Sequence, residues 1–184
     1  MHITLRQAAV AACLLLAGGA ATAAQPLQNA IISASYNAGG MLGIADDYAG
    51  SSVSGLDPLN TSVEFFTSDA LFGFDFAADG HLTIYNNSTI PTGAYIASFD
   101  FGASLGAAIK TFTITDAGLT SGVPLLTVAD GHTITIDLSA VRWNGDYSAL
   151  QTNITLQAVP EPASAVMLAA GLLGLGLRAR RRNR

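Results

Sequence analysis

The chain has 184 residues, half of them apolar and only 11% charged, and this length suits about one domain. Residues 25–158 contain twelve acidic side chains and two basic ones, Lys110 and Arg142, so this segment has a formal net charge of −10. Such a surface repels phosphate backbones, which argues against nucleic acid as a partner. A single cysteine, Cys13, excludes a disulfide framework.

The N-terminus has the pattern of a secretory signal peptide. Arg6 precedes an uncharged apolar stretch over residues 8–16, and small residues then lead to the sequence "ATAAQ". A basic start, a short apolar segment and an A-x-A-like end are typical of a leader that is removed on export. We predict a signal peptide over residues 1–24. Cys13 then lies in the leader, and the mature domain has no thiol for a metal site or a nucleophile.

Residues 25–158 show short runs rich in β-branched and aromatic residues, separated by turn-forming residues. Several runs alternate apolar and polar side chains, which is the pattern of a strand with one face in water. About nine strands without intervening helices predict an all-β domain, an antiparallel β-sandwich of jelly-roll or immunoglobulin-like type. The predicted strands lie in AIISASY, SVEFF, LFGFDF, HLTIYN, AYIASFDF, KTFTITD, LLTVA, HTITIDL and NITLQAV.

Phenylalanines supply the candidate core of this domain, because large apolar side chains are usually buried. They are Phe65, Phe66, Phe72, Phe74, Phe76, Phe99, Phe101 and Phe112.

The tetrapeptide "ADGH" occurs twice, over residues 78–81 and 129–132, each time before a predicted strand. Asp-Gly at this place predicts a hairpin turn, because glycine accepts a positive φ. If the two turns converged, their carboxylates and imidazoles would suit a transition metal. Since nothing in the sequence brings them together, we expect two separate exposed turns.

Loop acids offer a second candidate for metal binding. Carboxylates suit Ca²⁺, and Asp46 and Asp47, with Asp57 and Glu64, lie in a predicted loop region. The regular D-x-D-x-D-G spacing is missing, so we expect solvated acids. A Ca²⁺ ion at Asp46 and Asp47 is the alternative, and no other metal or cofactor is predicted.

The sequence "GASLG", residues 102–106, fits the G-x-S-x-G pattern with Ser104 as nucleophile. That motif needs a strand, a sharp turn and a helix within a large α/β sheet. Strand pattern returns soon after Ser104, and the domain is small. We therefore expect a glycine-rich turn and predict that the protein is not an enzyme.

A small patch of the sequence has the composition of a sugar-binding surface. Arg142, Trp143 and Tyr147 place a base and two aromatic rings within six residues, beside polar groups. Sugar rings stack on flat apolar surfaces that have a polar rim. The alternative is that these aromatic residues belong to the core and turns and bind no ligand.

The C-terminus combines an apolar segment with a cluster of positive charge. Residues 163–177 carry no charge and, as a helix, would span about 22 Å of a hydrocarbon core of about 30 Å. We predict a transmembrane helix in the inner membrane over this segment. The arginines that follow hold the last residues, 178–184, in the cytoplasm. They are Arg178, Arg180, Arg181, Arg182 and Arg184.

The order "VPEP" (Val159–Pro162), apolar segment and terminal arginines resembles the PEP-CTERM sorting signal, here over residues 159–184. The resemblance implies that an exosortase, a membrane processing enzyme, recognises Pro160, Glu161 and Pro162 and removes the tail. It also implies a Gram-negative host, a membrane-anchored precursor, and delivery to the cell surface or an extracellular matrix of exopolysaccharide.

These observations predict an exported protein with a structural or adhesive role linked to exopolysaccharide or biofilm. The first alternative is a carbohydrate-binding module on the same removable anchor. The second is a small secreted hydrolase.

Overall fold

The computed structural model describes residues 25–44, 49–57, 62–118, 120–158 and 170–171, and residues 170–171 are helical. The predicted signal peptide, the Val159–Pro162 motif and the arginines lie outside the described residues, as does most of the predicted membrane helix. Within the described residues, no helix is long and apolar enough to cross a membrane.

The described part of residues 25–158 forms thirteen β-strands and one short 3-10 helix, Gly102–Ser104, between β7 and β8. The strands are β1 (Ile31–Tyr36), β2 (Met41–Gly43), β3 (Val53–Gly55), β4 (Phe65–Thr67), β5 (Phe72–Phe76), β6 (His81–Asn86), β7 (Ile96–Asp100), β8 (Ile109–Asp116), β9 (Thr120–Ser121), β10 (Leu125–Val128), β11 (Thr133–Asp137), β12 (Arg142–Trp143) and β13 (Ala149–Leu156).

All strand pairs in the described residues are antiparallel. One sheet has the strand order β10-β11-β7-β1-β3, and a larger one has the order β2-β4-β5-β6-β13-β8. Two short strands, β12 and β9, make a separate ribbon. The predicted all-β, antiparallel fold is confirmed.

Alternation along the strands directs one set of side chains inward. In β1 every second residue is buried, namely Ile32, Ala34 and Tyr36, as period-two patterning requires. In β5 the inward residues are phenylalanines, so the run that was predicted as a strand also supplies much of the core.

The inner faces of the two large sheets meet at Phe99. This residue lies on β7 of the five-stranded sheet, and its ring centroid is 4.9 Å from that of Phe74 and 5.0 Å from that of Phe76, both on β5 of the six-stranded sheet. A third ring, Phe65 on β4, lies 5.9 Å away. All four side chains are fully buried. The rings therefore form a common core between the sheets.

One expected core residue lies elsewhere. Phe66 points away from the core and is half-buried, because its neighbours on β4 take the inward positions. It covers Gly73 of the paired strand, where an added Cβ would lie 3.0 Å from the Phe66 ring. The prediction that all eight phenylalanines fill the core is wrong at this position, since alternation overrides hydrophobicity there.

Edge strands of the two sheets lie beside each other. β8 of the larger sheet is next to β10 of the smaller one, and β2 is next to β3. Near the first edge, Ile109 N donates to Gly131 O in the turn after β10 at 2.8 Å. Near the second, Gly43 N donates to Ser51 O just before β3 at 2.6 Å. The two large sheets are thus linked by a backbone bond near each edge.

The predicted hairpins at the two "ADGH" sequences are confirmed. The first joins β5 to β6 and is closed by the bond from Ala77 N to His81 O at 2.8 Å. The second joins β10 to β11 and is closed by the bond from Ala129 N to Thr133 O at 2.9 Å. Only the first uses glycine as expected, since Gly80 has a φ of +97° whereas Gly131 has no positive φ.

Sequence patterning missed four short strands, β2, β3, β9 and β12. Each has two or three residues, which is too few to show alternation. Their pairing in the fold defines them instead, β2 with β4, β3 with β1, and β9 with β12.

Replacing Phe99 by alanine tests the shared core. We expect Phe99→Ala to lower the free energy of unfolding by about 3–5 kcal/mol, because it leaves a cavity among three other rings. The control is Ile96→Ala on the same strand, whose side chain is 37% exposed and should cost about 1 kcal/mol or less. Urea denaturation measures both, and equal losses would contradict the proposed central position of Phe99.

Candidate functional site

A pocket of about 160 Å³ lies between three segments that converge near the ribbon of β9 and β12. These segments are the connection between β6 and β7, the turn after β11, and β12 with the loop that follows it. Its walls are formed by Thr89, Ile90, Pro91, Tyr95, Leu138, Ser139, Val141, Arg142, Trp143 and Gly145.

Trp143 joins this pocket to the core. It lies on β12, is partly buried, and its ring centroid is 5.9 Å from that of Phe72. Its indole N–H is buried and has no acceptor among the described residues. Trp143 is thus a wall residue that packs against the core residue Phe72, and its ring is not a freely exposed stacking surface.

Arg142 is exposed beside Trp143 and also borders the pocket. The pairing of β12 with β9, Arg142 opposite Ser121 and Trp143 opposite Thr120, fixes the backbone of both residues. In the part of the chain that the structure describes, no carboxylate forms an ion pair with Arg142. Its guanidinium group is therefore available to a ligand.

Tyr147, the third residue of the predicted patch, is not among the wall residues and is 75% exposed. Its φ is +58°, a left-handed conformation that is unusual for an aromatic residue. Its backbone N–H donates to Asn86 O at 3.0 Å. The structure thus brings Arg142 and Trp143 to one pocket and places Tyr147 on the adjoining loop.

Asn86 holds that loop in place. The side chain is fully buried, and its Nδ2 donates to Gly145 O at 2.7 Å and to Ser88 O at 3.1 Å. One residue therefore fixes both the start of the β6–β7 connection and the rim of the pocket. Sequence analysis missed this role, since an Asn beside a turn is common and only the tertiary fold brings residues 86 and 145 together.

Ser104 lies in the 3-10 helix rather than on a nucleophile turn. β7 leads into Gly102–Ser104 and then to β8, so residues 96–116 do not form the strand, sharp turn and helix that the motif needs. The Ser104 hydroxyl accepts a hydrogen bond from Ile31 N at 3.0 Å, and Phe101 O lies within hydrogen-bond distance at 2.5 Å. These contacts give the side chain a local role in fixing β1.

The two "ADGH" turns have the same hydrogen-bond pattern. In the first, Asp79 accepts from His81 N at 3.1 Å, and its carboxylate is 3.0 Å from the His81 imidazole. In the second, Asp130 accepts from His132 N at 2.7 Å, and this bond lowers the pKa of Asp130. Among the described residues, no three His, Cys, Asp or Glu side chains are grouped as a metal ion would require.

Asp46 and Asp47, the candidate Ca²⁺ ligands, lie outside the described residues. Glu64 is described, and the expectation that it is a solvated loop acid is wrong, because its side chain is only 2% exposed. Its carboxylate accepts from Asp57 N at 2.9 Å and from Phe76 N at 2.6 Å. These two bonds replace water and attach the chain after β3 to the end of β5.

Burial raises the pKa of Glu64 to about 7, against hydrogen bonds from Phe76 and Asp57 that lower it, and the nearby charge of Asp75 adds to the increase. The pKa of Asp75 is also raised, chiefly by burial and further by Asp57. Glu64 therefore titrates near neutral pH in the folded protein.

Residues 158–182 match the PEP-CTERM protein-sorting motif. This confirms the resemblance seen at the C-terminus. No curated protein and no solved structure is significantly similar to the chain. Fold and motif together define an all-β domain that precedes a sorting signal, and this signal implies export of a membrane-anchored precursor and processing by an exosortase.

Replacing Glu64 by glutamine tests its titration. The folded pKa of about 7 lies above the ordinary value of 4.5, so this group favours folding most at low pH, and that contribution is lost as pH rises through 7. The wild type should lose up to about 3 kcal/mol of unfolding free energy from this group between pH 4.5 and 8.

Glu64→Gln should flatten this pH dependence while lowering stability at acid pH, because the amide cannot accept both backbone bonds. Urea denaturation at several pH values measures both effects. Asp116→Asn, which removes an exposed carboxylate, is the control and should keep the wild-type slope. An unchanged slope in Glu64→Gln would show that other groups cause the dependence.

Replacing Tyr147 by glycine tests whether its left-handed backbone conformation destabilises the folded protein. Because the side chain is exposed and φ is positive, Tyr147→Gly should leave the melting midpoint unchanged or raise stability by up to about 1 kcal/mol. Ala70 also has a positive φ, 57°. Ala70→Gly is therefore the matched control, because it places glycine at such a φ without removing an aromatic ring. A clear loss of stability in Tyr147→Gly would mean that the ring makes stabilising contacts.

Proposed function

We propose that this chain is an exported, exosortase-sorted protein whose body acts structurally or adhesively in the cell envelope or extracellular matrix, linked to exopolysaccharide or biofilm. The observation that carries the proposal is the sorting motif at residues 158–182, which includes four of the five terminal arginines. In this proposal the exosortase acts at Pro160, Glu161 and Pro162, after an apolar segment has held the precursor in the inner membrane.

The body has properties that suit this destination. We infer that its two large sheets form a β-sandwich, since the Phe99 cluster joins their inner faces. The strongly acidic composition of residues 25–158 favours solubility after release. The hydrogen bonds that occupy the Ser104 hydroxyl support a non-enzymatic role.

A carbohydrate-binding module is the second candidate, and the pocket beside Trp143 and Arg142 favours it. Ligand sites are concave and combine apolar walls with polar groups that orient the ligand. This pocket has walls of both kinds, with Ile90 and Leu138 beside Arg142.

Mass spectrometry of the mature protein from its own host tests the sorting proposal. We expect an N-terminus near Ala24 or Gln25 and loss of the arginine tail. In Glu161→Ala, which changes the motif, the tail should be retained in the membrane fraction. Asp116→Ala removes one exposed acid from the body and should be processed like the wild type. A wild-type chain with an intact tail in every cell fraction would leave only a permanent anchor.

A further inference from the structure

The first and last residues of the body lie at the same end of the two large sheets. After β13, Gln157 N donates to Ala108 O at 2.8 Å, so the fold holds the chain up to this residue. Before β1, Leu27 N donates to Ala78 O, in the first "ADGH" turn, at 2.9 Å. That turn leads into β6, whose first residue is paired with β13 three residues before the end of that strand. The chain thus enters and leaves the body at one place, which we call the terminal end.

The second "ADGH" turn and the 3-10 helix also lie at the terminal end. Ile109 N donates to Gly131 O of that turn at 2.8 Å, and Ile109 is opposite Leu156, the last residue of β13. The Ser104 hydroxyl of the helix accepts from Ile31 N at the start of β1 at 3.0 Å. The terminal end is therefore a continuous surface made of two turns, a short helix and the two points where the chain meets the body.

The pocket lies at the opposite end of the sheets. Strand β13 has eight residues and is therefore about 25 Å long. Directly before it, the Ser148 hydroxyl donates to Asn144 O at 3.2 Å, and Ser148 O accepts from Asn86 N at 3.2 Å. Asn86 in turn donates to Gly145 O in the pocket wall at 2.7 Å. One strand length thus separates this pocket end from the terminal end.

The connection from the terminal end to the predicted membrane segment is short. Residues 158–162 separate Gln157 from that segment, which begins at residue 163. Six residues span at most about 22 Å when fully extended. Headgroups occupy about 5–8 Å on each side of the hydrocarbon core, so Gln157 stays within about 15 Å of the headgroup surface. Turning the body over would drive the pocket end, about 25 Å from Gln157, into the bilayer.

We propose that in the anchored precursor the terminal end lies against the outer surface of the inner membrane, held there by this short connection, while the pocket end points away from it. This inference rests on the proposed membrane-anchored precursor and adds the orientation of its body. The pocket then faces the space into which the protein is exported.

The charges of the body fit a placement that the connection imposes. A body of net charge −10 is not attracted to anionic headgroups as a whole. At the terminal end, however, Lys110 is exposed, and so are His81 and His132 of the two "ADGH" turns. At physiological salt, charges more than about 8 Å from the headgroups are largely screened. Acids at the pocket end therefore add little repulsion.

Single cysteines can report how far each end lies from the membrane, because residues 25–158 contain no cysteine. We would export the full chain with Cys13→Ala in a host without an exosortase, so that the tail is retained. Each sample carries one further change, Ala103→Cys, Ala129→Cys or Ala140→Cys, and a fluorescent dye on that thiol. Ala103 and Ala129 are exposed at the terminal end, and Ala140 is exposed beside the pocket wall.

Each labelled chain is placed in vesicles of phosphatidylethanolamine and phosphatidylglycerol with nitroxide quenchers on the headgroups of both leaflets. We expect dye at residues 103 and 129 to lose about half of its fluorescence and dye at residue 140 to lose about a tenth or less, because about 25 Å separates the two ends and nitroxides quench at short range. Vesicles without nitroxide give the reference intensity. Because no exosortase is present, quenching reports contact with lipid and not with the enzyme.

A longer connection tests the cause of the placement. Twenty residues of Gly and Ser inserted between Ala158 and Val159 have a root-mean-square length of about 25 Å, which lets the body move away from the membrane. Quenching at Ala103 and Ala129 should then fall by about twofold or more, while that at Ala140 stays low. Equal melting midpoints of all variants would exclude unfolding as the cause.

Three results would overturn the proposal: equal quenching at the three positions, stronger quenching at Ala140, or quenching at Ala103 and Ala129 that survives the insertion. Flotation of the vesicles on a density gradient separates this test from the anchor. A chain that floats with equal quenching refutes only the orientation, and one that does not float refutes the anchor and the orientation together. A chain that keeps its tail in its own host but shows the expected quenching refutes only the sorting.

Discussion

Contact between the Phe99 ring and the rings of Phe65, Phe74 and Phe76 joins the two large sheets into one body. The hydrogen bonds within each sheet do not bury its apolar face, and contacts between the sheets such as these are what removes it from water. Phe101 extends these contacts through Phe76. Phe72, which is also fully buried, packs against Tyr95 and Trp143, two residues of the pocket wall. The position of the pocket wall is therefore set by the packing that stabilises the domain.

Two buried polar side chains hold segments of the chain that lie outside the strands. Glu64 and Asn86 are both buried, and each bonds to backbone groups from distant segments. Glu64 attaches the chain after β3 to β5, while Asn86 attaches the loop after β12 to the end of β6. Loops lack regular partners for their backbone groups, so such side chains provide the connections that a sheet would otherwise supply.

The regular parts of this fold could be predicted from the sequence because they depend on local pattern. Alternation in "TITID" and the aromatic run "FGFDF" marked β11 and β5, and the two Asp-Gly turns marked hairpins. What could not be predicted depends on partners far along the chain. Glu64 is buried because Asp57 and Phe76 offer backbone donors, and β12 exists because Ser121 and Thr120 lie opposite.

The same limit applies to the candidate site. Composition alone predicted a binding patch at Arg142, Trp143 and Tyr147, and the first two of these residues line the pocket. Its opposite wall, Thr89 to Tyr95, lies about fifty residues away in sequence and has no distinctive motif. Only strand order brings that segment to β12. The sorting motif is the opposite case, since it is a linear signal and was recognisable without any structure.

The position of the edge strands, β8 beside β10 and β2 beside β3, has a consequence for self-association. An unprotected strand border is a template on which other molecules can extend a sheet, and this leads to fibres or precipitates. Here an edge strand of one large sheet lies beside an edge strand of the other at both borders. This placement leaves less room for a strand from a second molecule to add to either sheet.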